Sequence, residues 1–502
     1  MNHPQNAHSG NSANDRPGFF SRRDMLCQTG CGFGHLALLG LLGQTGRAVA
    51  TSPDSRGGKK NLLAPKRSHF APRAKRVIFL LMHGGISQID TFDPKPVLTA
   101  KDGQTFARTE FASADLPIGQ SIGLGKELSL LKSPWEFRHY GKSGLEISDL
   151  FPHVATCADE LCVIRSMTHG FVTHAPAMQM IHTGSGQFKW PSMGAWVVYG
   201  LGSENQNLPG FITICPPGLD SGAHNFGSAF LPAAYQGTPF GATTGAGLPD
   251  DARRATFTNL YPAEPSLRLQ RLELDLAQAE NRQHLARAGY NPQLEARIES
   301  FELAFRMQAD APEAMDISRE PKETLALYGI DEGPTDNFGR MCLLARRFSE
   351  RGVRFIQASH SYKWDQHGNL KGGHETNAGE VDKPIAGLLK DLKRRGLLED
   401  TLVYFGSEFG RTPAAQGKDG RDHNPYGFTV WLAGGGVKGG TTYGATDDVG
   451  FFAVENQATM HDLHATILHQ LGIDHEALTY RHAGRDFRLT DVEGEVMHDV
   501  IA

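Results

Sequence analysis

Continuous apolar runs of strand length alternate with segments of helical period along most of this chain. "VIFLLM" (Val77 to Met82) contains no polar residue, the pattern of a strand buried on both faces of a parallel sheet. "ELCVIRSM" (Glu160 to Met167), "PGFITIC" (Pro209 to Cys215), "VRFIQA" (Val353 to Ala358), "TLVYF" (Thr401 to Phe405) and "YGFTVWLAGGG" (from Tyr426) read as further strands. Between them, "MGAWVVYGLG" predicts a helix packed closely through its glycines. "NFGRMCLLARRFSERG" predicts an amphipathic helix turning at Gly352, "VDKPIAGLLKDLKRRG" another, and "MHDLHATILHQLGI" a C-terminal helix. Such alternation implies an α/β fold, a mostly parallel central sheet covered by helices on both sides. From Pro265 to Gln308 the character changes to charged, helix-period sequence, so a helical insertion is expected over about 263–330.

The 502 residues are 39% hydrophobic and 21% charged with a formal net charge of -5, which suits one large α/β domain or two smaller ones and makes nucleic acid a poor partner. The basic stretch Lys66 to Arg76 is punctuated by proline and reads as a solvated linker. At the N-terminus, "SRRDML" followed by a short, glycine-rich apolar segment and Ala48-Val49-Ala50 reads as a twin-arginine export signal over residues 1–50. The apolar segment is too short for a comfortable membrane span. A linker over 51–75 and a domain over 76–502 follow, in a protein expected in the periplasm or outside the cell, with no stable span after cleavage. Of six cysteines, Cys157, Cys162, Cys215 and Cys342 remain after the signal, enough for up to two disulfides.

Polar clusters stand where the strands end, the edge at which open parallel sheets collect function. The first strand runs into His83, Asp90 and Asp93, and the second into His169, His174 and His182. "VRFIQA" runs into Asp365 and His367, "TLVYF" into Glu408 and Arg411, and Asp422 and His423 precede the last strand. Together they offer nitrogen and oxygen ligands without thiolates, the donors a hydrolytic divalent metal takes. On extended backbone Asp365 and His367 would face one side and share an ion. "GGGVKG" (Gly434 to Gly439) matches a dinucleotide-binding pattern, but turn-like sequence follows where that motif needs a helix.

"FLLMHGGISQIDTFDPKP", "SEFGRTP", "GRDHNPYGFTVWLAGGGVKGGTTYGATDD" and "HDLHATILHQLGI" resemble the DUF1501 proteins, which are similar in turn to the alkaline phosphatase and sulfatase superfamily. The resemblance implies an alkaline-phosphatase-like three-layer αβα sandwich. It also implies metal-dependent hydrolysis of a phosphate or sulfate ester, the substrate being an anionic ester or a sulfated or phosphorylated polysaccharide. Asp365, His367 and His423 would hold one ion, and Asp90 and Glu408 a second. One or two divalent ions are expected, zinc the first candidate, with calcium, magnesium or manganese as alternatives.

The departures from that pattern bear on mechanism. Phe409 stands where phosphatases carry a histidine, and Asp365 and His367 are two apart instead of four. "HAPAMQMIHTG" aligns with the sulfatase nucleophile segment and puts His174 at the nucleophile position. Three readings stay open: attack by a metal-activated water, substitution by Thr173 or Thr183, or a site that binds without turnover, such as a carbohydrate-binding relative. His174 is a catalytic candidate, as ligand or general acid, beside the alternative of a core or loop histidine. Arg411 is a candidate clamp for the anionic ester, beside the alternative of a loop-capping salt bridge.

Overall fold

The computed structural model describes residues 61–107, 127–241, 251–261, 266–289, 291–361 and 363–502. The expected export signal lies outside the described residues, as does the linker before Asn61. Along the chain come β1 (Arg76–Met82), β2 (Leu161–Thr168), α1 (His174–Thr183), α2 (Met193–Leu201), β3 (Phe211–Ile214) and β4 (Thr238–Phe240). A helical pair follows, α3 (Leu267–Ala288) and α4 (Pro292–Met315), then α5 (Asp336–Glu350), β5 (Phe355–His360), α6 (Leu370–Arg394) and β6 (Thr401–Gly406). The chain continues through β7 (Gly410–Gln416), β8 (Gly420–Asn424), β9 (Phe428–Ala433), β10 (Thr441–Tyr443), β11 (Ala458–Thr459) and α7 (Met460–Gln470).

One nine-stranded sheet runs β10-β2-β9-β6-β1-β5-β3-β4, with β11 also beside β2. Every pairing is parallel except those of β9, which opposes both β6 and β2. The cause is local. After β6 the chain makes only the β7–β8 hairpin, without a crossover helix, and therefore re-enters the sheet from the edge it left.

Alternation along β1 builds both cores. Ile78, Leu80 and Met82 pack with Phe338 and Met341 of α5 and Val381 and Ile385 of α6. Val77, Phe79 and Leu81 face the other way, onto Met178 of α1, Trp196 of α2 and Ile467 of α7. The protein is thus the three-layer αβα sandwich expected. Asn291 caps α4 by accepting from the Gln293 and Leu294 amides, with Pro292 in the first turn. That helix sends Met307 and Ala311 into the first core, whereas α3 buries only Gln278.

The permitted disulfides do not form: Cys157, Cys162, Cys215 and Cys342 are all free and buried. They serve as small apolar side chains, and the sheet separates Cys162 from the other three. Gly434 to Gly436 make a positive-φ turn into β10, not a helix. Among the described residues no helix is long and apolar enough to cross a membrane.

The turn after β1 is drawn tightly against the loop after β5. Gly84 has φ +121, and a Cβ there would lie 2.7 Å from the backbone nitrogens of Trp364 and Asp365. We predict that Gly84→Ala lowers stability by roughly 2–5 kcal/mol, the sum of left-handed strain and overpacking. Gly144→Ala, at φ +70 with open space around it, carries only the strain, about 1–2 kcal/mol. Denaturant unfolding of the two variants checks the difference.

Candidate metal centre

The strand ends deliver the polar clusters to one place. His83 and Gly84 follow β1, His174 is the first residue of α1 after β2, and Asp365 and His367 follow β5. Glu408 follows β6, and His423 lies on β8 as the chain turns back toward β9. Asp365 and His367 are not on extended backbone as expected. The His367 amide donates to the Asp365 carbonyl at 3.2 Å in a tight turn, and the two side chains meet through that turn.

Asp365 Oδ1 is the focus. His367 Nε2 lies 2.9 Å from it, His423 Nε2 3.2 Å and His174 Nε2 3.4 Å. Each of these four residues offers one ligand atom, all within 4.8 Å of one another. Bonds of about 2.0–2.1 Å to a tetrahedral ion would set its ligands about 3.3 Å apart, close to these separations.

The outward ring nitrogens are anchored. His423 Nδ1 faces the Val172 carbonyl at 2.7 Å, His367 Nδ1 faces Gln416 Oε1, and His174 Nδ1 faces Glu408 Oε1 at 2.7 Å. Carbonyl, amide and carboxylate oxygens accept, so each Nδ1 carries the ring proton and each Nε2 presents a lone pair inward. Three lone pairs facing one carboxylate oxygen repel unless a cation lies among them. That donor set fits a divalent metal. His367 is 39% exposed and the other three side chains 11–18%, so the centre opens to solvent on the His367 side.

Without an ion, a proton fills part of that role. Burial lowers the His174 pKa, but its bonds to Asp365 and Glu408 outweigh this and bring it up to about 9. Burial pushes the Asp365 carboxyl up, yet the bond from protonated His174 and the Arg411 guanidinium hold it well below the usual carboxylate range. Burial lowers the His423 pKa, against the pull of Asp365.

Two predicted residues are placed elsewhere. Asp90 belongs to neither candidate group among the described residues. It is fully buried, accepting from Ser87 Oγ and from Arg421, whose Nε is 2.8 Å from Oδ2 and Nη2 3.2 Å from Oδ1. An arginine neutralises it in place of a metal. Arg411 is also fully buried, with its guanidinium turned to protein acceptors. Its guanidinium donates to the carbonyls of Gly84, Gly85, Trp364 and Arg421, and to Asp365 Oδ1 at 2.7 Å. The capping alternative describes it: it holds Asp365.

The remaining sequence candidates sort by their partners. Thr183 Oγ1 donates to the Gln179 carbonyl at 2.8 Å within α1, at the helix end remote from His174. Thr173 is the N-cap position immediately before His174. His169 sits between the Glu408 carbonyl and the Phe171 amide, and burial pulls its pKa to about 4. His182 is held by Met178 and Gln357 beneath the sheet. Phe409 forms an apolar wall, its ring centroid 4.3 Å from that of His423.

A second group joins His174 to His83 and Glu408. His83 Nε2 is 2.9 Å from Asp220 Oδ2 and 3.9 Å from Glu408 Oε1. Asp220 and Gln416 escaped the sequence reading. The one signal for Asp220 was its place in the loop after β3, another strand end at the same edge.

Raised above its ordinary 6.5, the His174 pKa sets a sign. Its contribution to the stability of the ion-free chain is present in full below about 6.5 and is lost as the pH passes about 9. An ion held by His174 Nε2 would have to displace that proton, so its affinity would climb over the same window. Calorimetric metal titrations across this range, and their flattening in His174→Gln, check this.

No curated protein matches the chain. PsFucS1 sulfatase from Pseudoalteromonas sp. superposes at a TM-score of 0.33 and 13% identity, over 80% of this chain and 69% of its own. The lipoteichoic acid synthase LtaP from Listeria monocytogenes superposes at 0.32 and 10% identity, over 85% and 78%. Alkaline phosphatase from the Antarctic bacterium TAB5 superposes at 0.29 and 10% identity, over 79% and 97%. The chemistry of the site rests on its own side chains. The family model described as "Protein of unknown function (DUF1501)" matches residues 74–501, nearly the whole described chain, and the protein belongs to that family.

Proposed function

We propose that this protein is a metal-dependent hydrolase of phosphate or sulfate esters, acting outside the cytoplasm on an anionic ester such as a sulfated or phosphorylated polysaccharide. The observation that carries the reading is the convergence of three anchored imidazole Nε2 atoms on Asp365 Oδ1 at the carboxyl edge of the sheet. Three imidazoles and one carboxylate suit zinc or a similar transition metal, whereas calcium and magnesium prefer oxygen. The twin-arginine pattern supports export.

His174, Asp365, His367 and His423 would hold the ion, which supplies Lewis-acid polarisation and acidifies a water. The open side beside His367 admits the ester, and the positive end of α1 favours its negative charge. Phe409 screens His423 from solvent. With His174 at the head of α1, no Ser, Thr or Cys side chain occupies the nucleophile position there, so we assign that role to water. Arg411 keeps Asp365 ionised and aimed.

One observation favours a second reading, a ligand-binding protein without turnover. Four protein donors fill a tetrahedral ion, as in structural zinc sites, and the expected anion clamp is buried. Elemental analysis of the mature protein, with aryl phosphate and aryl sulfate assays, separates the two. The hydrolase reading predicts bound metal and ester cleavage that Asp365→Ala abolishes. His423→Ala should cost more in metal affinity than the about 10–100-fold typical of losing an outer partner. Bound metal with neither ester cleaved leaves the binding reading, and no metal, bound or added back, ends both metal-based accounts.

A further inference from the structure

The resemblance drawn from sequence implies a second ion held by Glu408. Once Asp90 is removed from consideration, the remaining ligands for it are His83, His174 and Glu408, whose ligand atoms do approach one another. We infer instead that the centre takes a single ion and that Glu408 is a positioning residue, fixing His174 so that its Nε2 faces that ion. The inference rests on the metal-centre reading above and deepens it.

Donor and acceptor counting carries the argument. A carboxylate has about four acceptor sites. Glu408 Oε1 accepts from the Gly84 amide at 2.9 Å and from His174 Nδ1 at 2.7 Å. Oε2 accepts from the same amide at 3.1 Å and lies 2.8 Å from the Ser407 hydroxyl. The Gly84 amide is shared between the two oxygens, and the Ser407 hydroxyl has its one proton divided between Glu408 and the Met82 carbonyl, so protein donors hold Glu408 at both oxygens. The nitrogens fail a second ion for a complementary reason. A neutral imidazole has one lone pair, so His174 cannot offer Nδ1 to a second ion while its Nε2 faces the first, and Nδ1 instead donates to Glu408 Oε1. His83 Nε2 lies nearer to Asp220 Oδ2, at 2.9 Å, than to Glu408 Oε1, at 3.9 Å.

The first centre differs in how its ring nitrogens are set. Its three Nε2 atoms face inward with their Nδ1 atoms anchored, and one side is open. Glu408 plays toward His174 the part that the Val172 carbonyl plays toward His423 and Gln416 toward His367. An acidic acceptor behind a ligating imidazole fixes its tautomer and raises its basicity. Glu408 is thus the ionic member of a set of three outer anchors.

The test is metal stoichiometry in the full chain, with cobalt(II) as a spectroscopic substitute. The wild type should bind one ion per chain after equilibrium dialysis. Glu408→Gln keeps an acceptor oxygen opposite Nδ1, so it should still bind one ion with the cobalt visible bands retained and affinity within about tenfold. Glu408→Ala should also bind one ion, weakened by about 10–100-fold. Two ions in the wild type, with one lost from Glu408→Gln, would overturn the inference while leaving the metal-centre reading intact. No ion in the wild type would overturn both. Should the alanine variant fail to fold, the glutamine variant decides: one ion with retained bands supports the assignment, and loss of the ion contradicts it.

Discussion

A single carboxylate oxygen, Asp365 Oδ1, gathers three imidazole Nε2 atoms and one guanidinium within 2.7–3.4 Å. Such crowding holds only if positive charge balances it. Arg411 supplies one permanent charge from within the protein, and a proton or a metal ion must supply the rest on the open side. Much of the surrounding architecture follows from keeping that oxygen where it is. Gly84 allows the β1 turn to lie against the Asp365 backbone, and four carbonyls hold the Arg411 guanidinium behind it.

The sheet explains why such distant residues meet. Parallel strands end at one edge, so segments separated by hundreds of residues in sequence arrive side by side. The single antiparallel strand, β9, contributes as well. Its reversal is made by the β7–β8 hairpin, which carries Arg411 and His423 to the same edge as Asp365. Fold and site share a cause here, because the excursion that breaks the parallel pattern is the one that completes the donor set.

Much of this was legible in the sequence. β1, β2, β5 and β6 are apolar runs with sharp ends, and their burial on both faces leaves little freedom in how they are read. Asp365, His367 and His423 stood out because the strand-end rule and the family resemblance both pointed to them. What escaped depends on pairing across the fold. Asp90 reads like a ligand until Arg421 is seen beside it, and Arg411 reads like a substrate clamp until its burial is seen. Asp220 and Gln416 act only through the histidines they face, a relation that no spacing reveals. The cysteines misled for a similar reason: their count permits disulfides, while the sheet keeps Cys162 apart from the other three.

The site departs from a hydroxyl-nucleophile design at its centre. His174 occupies the head of α1, and on the proposed reading Glu408 behind it makes that position part of the ion's coordination. Anomalous diffraction from a zinc-soaked crystal tests this most directly. The account predicts one strong peak per chain, about 2.0–2.1 Å from the Nε2 atoms of His174, His367 and His423 and close to Asp365 Oδ1. A peak between His83 and Glu408, or none at the three Nε2 atoms, would contradict it.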